Sequence, residues 1–129
     1  MDRVRFIQHR GKRVLLLDYS QLGDENQMLA MVEVRKKMVA GQPPLSLLTL
    51  TDVSGAQFTR KALDKIKEAA VYDLPVLKRA AMVGAESMAP KGALEAVGTF
   101  SARTWQNFPT REEALDWLVA EETGAAKAG

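Results

Sequence analysis

The sequence predicts an α/β domain: a mostly parallel sheet of about five strands, one antiparallel edge strand and about four helices. Three observations carry this. Apolar strand-like runs alternate with stretches of helical period along the chain. The first two strand runs are separated only by a glycine-containing turn, as in an antiparallel hairpin. Later strand runs are each reached through a helical segment, which implies parallel pairing through right-handed crossovers.

The hairpin is "VRFIQ" and "RVLLLDYS" on either side of "HRGK". The first strand alternates, as an edge strand does, whereas Val14 to Leu17 are continuously apolar and read as a strand buried on both faces. Residues 25–40 carry Met28, Met31/Val32 and Met38/Val39 on one helical face, with Glu25 at the start and "RKK" near the end. Gly41, Pro43 and Pro44 stop that helix, and "LSLLTLTDV" is the next buried strand. Residues 59–72 form a helix with Ala62/Leu63, Ile66 and Ala69/Ala70 inward, followed by the strand "VLKRAAMVGA". A helix is expected over 88–102 through Ala93, Leu94, Val97 and Phe100, although Gly98 weakens it by about 1 kcal/mol relative to Ala. "TWQNF" closes the sheet. "PTREEALDWLVAEE" gives the strongest local signal, with Thr110 and Glu113 spaced as a capping box and Ala114, Leu115 and Leu118 inward. The domain spans 1–122, and 123–129 is expected to be a flexible tail.

Composition narrows the function. A 129-residue chain that is 47% hydrophobic and 26% charged suits one soluble domain. A net charge of +2 is too small for a nucleic-acid footprint. With no cysteine and the single histidine His9, thiolate chemistry, disulfides and His-rich metal sites are not expected. The charged N-terminus lacks a signal-peptide core and no apolar run is long enough to span a bilayer, so the expected location is cytoplasmic.

Ligands of parallel sheets meet the carboxyl ends of the strands. Two strands end alike there, with Asp18 and Ser20 in one and Asp52 and Ser54 in the other. Paired carboxylates could hold Mg²⁺ for phosphoryl chemistry, but Asp18-Tyr19-Ser20 lacks the second Asp of the haloacid dehalogenase DxD. Asp at a strand end more often forms a turn or caps a helix, so no metal and no cofactor is expected. His9 reads as solvated in its turn, "RKK" as a solvated helix end, the methionine stripe as core and Trp117 as packing. Gly55 permits a turn, and Thr59 is placed to cap the helix carrying Arg60 and Lys61.

The stretches "GKRVLLLDYS", "LLTLTDVSGAQFT", "KRAAMVGA" and "FPTREEALDWL" resemble the STAS superfamily, and more closely the bacterial STAS/CRAL-TRIO-like small stand-alone proteins. The resemblance covers about residues 3–120 and implies a regulatory, anti-sigma-factor-antagonist-like module that binds a protein partner. Such antagonists carry a phosphorylatable serine in an Asp-Ser-Ser-Gly pattern between a strand and the next helix. Gln57, Phe58, Thr59 and Arg60 take its place here, so only Thr59 keeps a hydroxyl.

The expected function is therefore a non-enzymatic protein-interaction module whose partner-binding or phosphorylation residues are Ser54, Gly55, Thr59, Arg60 and Lys61. A lipid or small apolar ligand is the alternative, which the CRAL-TRIO resemblance implies, and a Mg²⁺-dependent phosphoryl-transfer enzyme is third. A homodimer is a further expectation, from the exposed edge strand and the Met-rich helix.

Overall fold

The computed structural model describes residues 2–91 and 105–120. Five strands form one sheet in the order β1-β2-β3-β4-β5: β1 Val4–His9, β2 Lys12–Asp18, β3 Leu47–Asp52, β4 Leu77–Val83 and β5 Trp105–Phe108. β1 pairs antiparallel with β2, and the other neighbours pair in parallel. Three α-helices lie among the described residues: α1 Glu25–Val39, α2 Arg60–Asp73 and α3 Arg111–Val119.

The hairpin closes through Arg10 and Gly11, whose φ angles are +52° and +80°. Two successive positive φ values match the right-handed twist of the flanking strands, and glycine bears the second without a Cβ penalty. β2 is buried on both faces, as its apolar run predicts. Leu15 and Leu17 enter the layer under α1 and α2, while Val14 and Leu16 enter the layer under α3. The period of two thus divides one strand between two cores. In the first layer Met28 and Met31 of α1 meet Leu63 and Ile66 of α2, so the methionine stripe is core. In the second, Ala114, Leu118 and Val119 of α3 cover Leu50 and Val83.

Each helix starts at a polar cap. Asp24 accepts from the Gln27 N–H at 3.0 Å, Thr59 from Ala62 at 3.2 Å and Thr110 from Glu113 at 3.2 Å. α3 is also held at its other end. Lys12 Nζ donates to Val119 O at 3.1 Å, and Arg79 donates to the carbonyls of Trp117 and Ala120 at 2.7 and 3.0 Å. These cations satisfy carbonyls that the helix leaves unpaired, where the macrodipole favours positive charge.

Three expectations change. Residues 88–91 are not helical: Ala89 bridges to Gln57, and Pro90 keeps the residue before it extended. The rest of the helix expected to 102, and the tail 123–129, lie outside the described residues. His9 is not solvated in the turn. It ends β1 with Nε2 2.8 Å from Asp116 Oδ1 of α3, and Arg10 reaches the same oxygen at 3.2 Å. Arg35 is not part of a solvated helix end either. It is buried between α1 and α2, with Nε 2.7 Å from Asp73 Oδ2.

Candidate functional site

The carboxyl ends of β2, β3 and β4 converge on one polar cluster. Asp18 and Asp52 are register partners at the last paired position of β2 and β3. Each folds back on the serine two residues on. Asp18 Oδ1 accepts from the Ser20 N–H at 3.0 Å and from its hydroxyl at 2.5 Å, and Asp52 Oδ1 accepts from the Ser54 N–H at 3.0 Å. Short polar side chains at a strand end satisfy the turning backbone in this way.

Arg111, the first residue of α3, joins the two carboxylates. Its Nε donates to Asp52 Oδ2 at 2.7 Å, and Nη2 lies 3.2 Å from Asp18 Oδ1. Arg3 approaches Asp18 Oδ1 at 3.8 Å from the start of the chain. Partial burial pushes the Asp18 carboxyl up, but the Ser20 hydrogen bonds and the Arg111 charge outweigh it and hold Asp18 below the ordinary value. Burial opposes the charge on Arg111 too, and Asp52 with Asp18 outweighs that, so the guanidinium is held more firmly protonated. The charge between the two carboxylates is supplied by the protein's own arginine. Among the described residues no group of three or more acidic or histidine side chains is placed to hold a metal ion.

Gly84, after β4, shapes the third side. Its φ is +80°, and a Cβ there would stand 2.0 Å from Ser54 Oγ and 2.6 Å from Ser54 Cα. Glycine is required for this approach. Ser87, in the 3₁₀ turn Ala85–Ser87, donates its hydroxyl to Gly84 O and accepts from the Gly55 N–H, both at 3.0 Å.

Backbone hydrogen bonds then fix the loop after β3 on both sides. Ser54 O accepts from the Gln21 N–H, and the Gln57 N–H donates to Leu22 O, at 2.8 and 2.9 Å. On the other flank Phe58 donates to Ala89 O at 2.7 Å and Ala89 to Ala56 O at 2.8 Å. Ala56 and Phe58 are buried while Gln57, Thr59, Arg60 and Lys61 are exposed. Asp18, Ser20, Asp52, Ser54 and Gly55 therefore meet in one cluster. Thr59, Arg60 and Lys61 form a separate exposed row at the start of α2.

The Thr59 hydroxyl does two things. It accepts from the Ala62 N–H as the cap of α2, and it donates to the Glu25 carboxylate in the first turn of α1. Arg60 and Lys61 have no ion-pair partner among the described residues, and the first turn of α2 holds no acidic residue, unlike those of α1 and α3.

Beneath the cluster, Tyr19 is 1% exposed and packs on Phe58 with ring centroids 5.5 Å apart. Its hydroxyl has no hydrogen-bond partner among the described residues, and burial pushes its pKa up to about 12 against the nearby Arg35 charge.

Comparison with protein-family models, with curated proteins and with solved structures finds no match to this chain. No helix among the described residues is long and apolar enough to cross a membrane.

Sequence reasoning missed Arg111, which lies 59 residues from the Asp52 it binds. One signal was available: a cation directly after the Thr110 cap stands where the helix dipole disfavours it.

Proposed function

We propose that this chain is a non-enzymatic interaction module of STAS type that presents residues 54–61 to a protein partner. The observation that carries the reading is the loop itself. Backbone bonds to both neighbouring loops hold it in place, while Gln57, Thr59, Arg60 and Lys61 remain exposed. A surface already ordered loses little freedom on binding, which favours recognition. The antiparallel hairpin leading into a parallel sheet is what the STAS resemblance implies, and it supports the same reading.

The partner surface is acidic. Two cations in the first turn of α2 work against the helix dipole and gain no ion pair among the described residues in return. A local rule broken without structural compensation is characteristic of a functional position. A phosphoryl-transfer role is less well supported, because Arg111 engages both carboxylates that would otherwise hold Mg²⁺. The second reading, a small-ligand module, is favoured by one observation: the buried Tyr19 hydroxyl that no described residue satisfies.

Affinity capture from the source cells tests the proposal. A protein retained by the natural chain and lost by the folded Arg60→Glu/Lys61→Glu variant supports it. Equal retention by both, or by neither, rejects it.

A further inference from the structure

The large apolar side chains that stand exposed among the described residues are Leu45, Val71, Tyr72 and Leu74, at 67, 59, 69 and 36%. All four lie at the amino end of the parallel strands, opposite the carboxylate cluster. Val71 and Tyr72 lie in the last turn of α2, Leu74 follows the helix, and the Leu45 N–H donates to Pro75 O at 3.2 Å. Scattered apolar residues need no explanation, but a gathering at one end marks an interaction surface. Leu45 adds to this. Its φ of +52° is a left-handed conformation that a bulky residue adopts at a cost, and the side chain it displays is two-thirds exposed.

Beside Tyr72, an open cleft of about 560 Å³ runs between α1 and α2. Ala69 lies at its floor, and Lys36, Lys65, Glu68, Val71 and Tyr72 line it. Asp64 and Lys67, with Glu68 and Val71, line a separate open cleft on the adjoining side of α2. The charges at the rim alternate in sign. Lys36 pairs with Glu33 at 3.3 Å and Lys65 with Glu68 at 3.6 Å, each within one helix and with side chains about half exposed or more. Exposed pairs of this kind are weak and exchange partners readily.

We propose that this face is a contact between two copies of the chain related by a twofold axis, with Tyr72 of each copy entering the cleft of the other. Charge complementarity selects this occupant. A uniformly acidic partner would meet Glu33 and Glu68, and a uniformly basic one would meet Lys36 and Lys65. A second copy carries both signs at the same spacing, so a twofold can set lysines of one chain against acids of the other. Tyr72, an exposed aromatic with a polar tip, is the residue type enriched at such contacts. The features that led the sequence to predict a homodimer are not the ones used. Met28 and Met31 are core, and the edge strand β1 carries the charged Arg5 outward, which discourages strand pairing.

Sedimentation velocity and light scattering on the full chain, over a concentration series, test this. The natural chain is expected to shift from monomer to dimer as concentration rises. Tyr72→Glu should raise the dimer dissociation constant about tenfold or more, with an unchanged circular dichroism spectrum. Leu45→Asp tests the same face from a separate element, should Tyr72→Glu disturb α2. Gln57→Glu, at the opposite end, should leave the dimer intact. A natural chain that stays monomeric throughout, or a dimer that both Tyr72→Glu and Leu45→Asp leave intact, overturns the proposal.

Discussion

The Thr59 hydroxyl, which caps α2, donates its hydrogen to the Glu25 carboxylate of α1, so one side chain ties the starts of two neighbouring helices together. This bears on whether residue 59 is a switch. The α2 dipole and the adjacent Arg60 and Lys61 would stabilise a phosphate there, but Glu25 would face it at hydrogen-bond range. Thr59→Ser should retain stability, and Thr59→Ala should lose about 0.5–2 kcal/mol in urea unfolding. Thr59→Glu should lose a similar amount, and adding Glu25→Gln should recover part of it. An unchanged midpoint in Thr59→Ala would remove the capping role.

Arg111 is the second point of leverage. Replacing it with Met leaves the 6%-exposed Asp52 without its guanidinium partner. Because Arg111 is half exposed, the expected cost is moderate, about 1.5–3 kcal/mol. The pH dependence should change as well. The Asp18 pKa is lower in the folded chain than in the unfolded one, so its contribution is complete above about pH 5 and drains as pH falls through the folded value. Without Arg111 that depression shrinks, and the acid-side loss of stability becomes shallower. Parallel acid titrations of the two proteins measure this. Calorimetric titration of the natural chain with Mg²⁺ should show no stoichiometric binding, since Arg111 already occupies the place between the two carboxylates.

Much of the fold was legible because it is written locally. Apolar runs located the strands, helical stripes located α1, α2 and α3, and the caps Thr59 and Thr110 marked two helix starts within a residue. The two Asp-x-Ser strand ends were legible for the same reason. The charges that fasten the elements were not, because their partners are remote in sequence: His9 with Asp116, Arg35 with Asp73, Arg111 with Asp18 and Asp52. Arg35 nevertheless left a trace. It falls on the inward stripe of Met28, Met31/Val32 and Val39, as Asp73 extends the stripe of Ile66 and Ala69. Opposite charges on two facing apolar stripes predict a buried pair, whereas reading "RKK" as one charge run hid it.

That buried pair supplies the third prediction. Burial pushes the Asp73 carboxyl up, and Arg35 opposes the shift. Arg35→Met should cost about 3–5 kcal/mol, because it strands a carboxylate in the core. The double variant Arg35→Met/Asp73→Leu should recover most of that loss, since two apolar groups of similar volume replace the pair. Urea midpoints of the two variants decide it: equal losses would mean that the pair itself, and not the stranded charge, sets the energy.

Tyr19 offers the test with the opposite sign. Its ring packs on Phe58 and its hydroxyl is sealed in the layer under α1 and α2, with no partner among the described residues. A buried hydroxyl left unpaired costs about 1–3 kcal/mol of desolvation that folding does not return. Tyr19→Phe removes that group and keeps the ring, so the variant should be as stable as the natural chain or up to about 1 kcal/mol more stable. Tyr19→Ala should instead lose about 3–5 kcal/mol, the range for emptying an aromatic site in a core. The Phe variant separates two roles for the hydroxyl. If it only fills space, stability holds or rises, and binding at residues 54–61 is unchanged. A loss of more than about 1 kcal/mol in Tyr19→Phe would mean that the hydroxyl has a partner in the folded protein. That result would remove the one observation that favours the small-ligand reading.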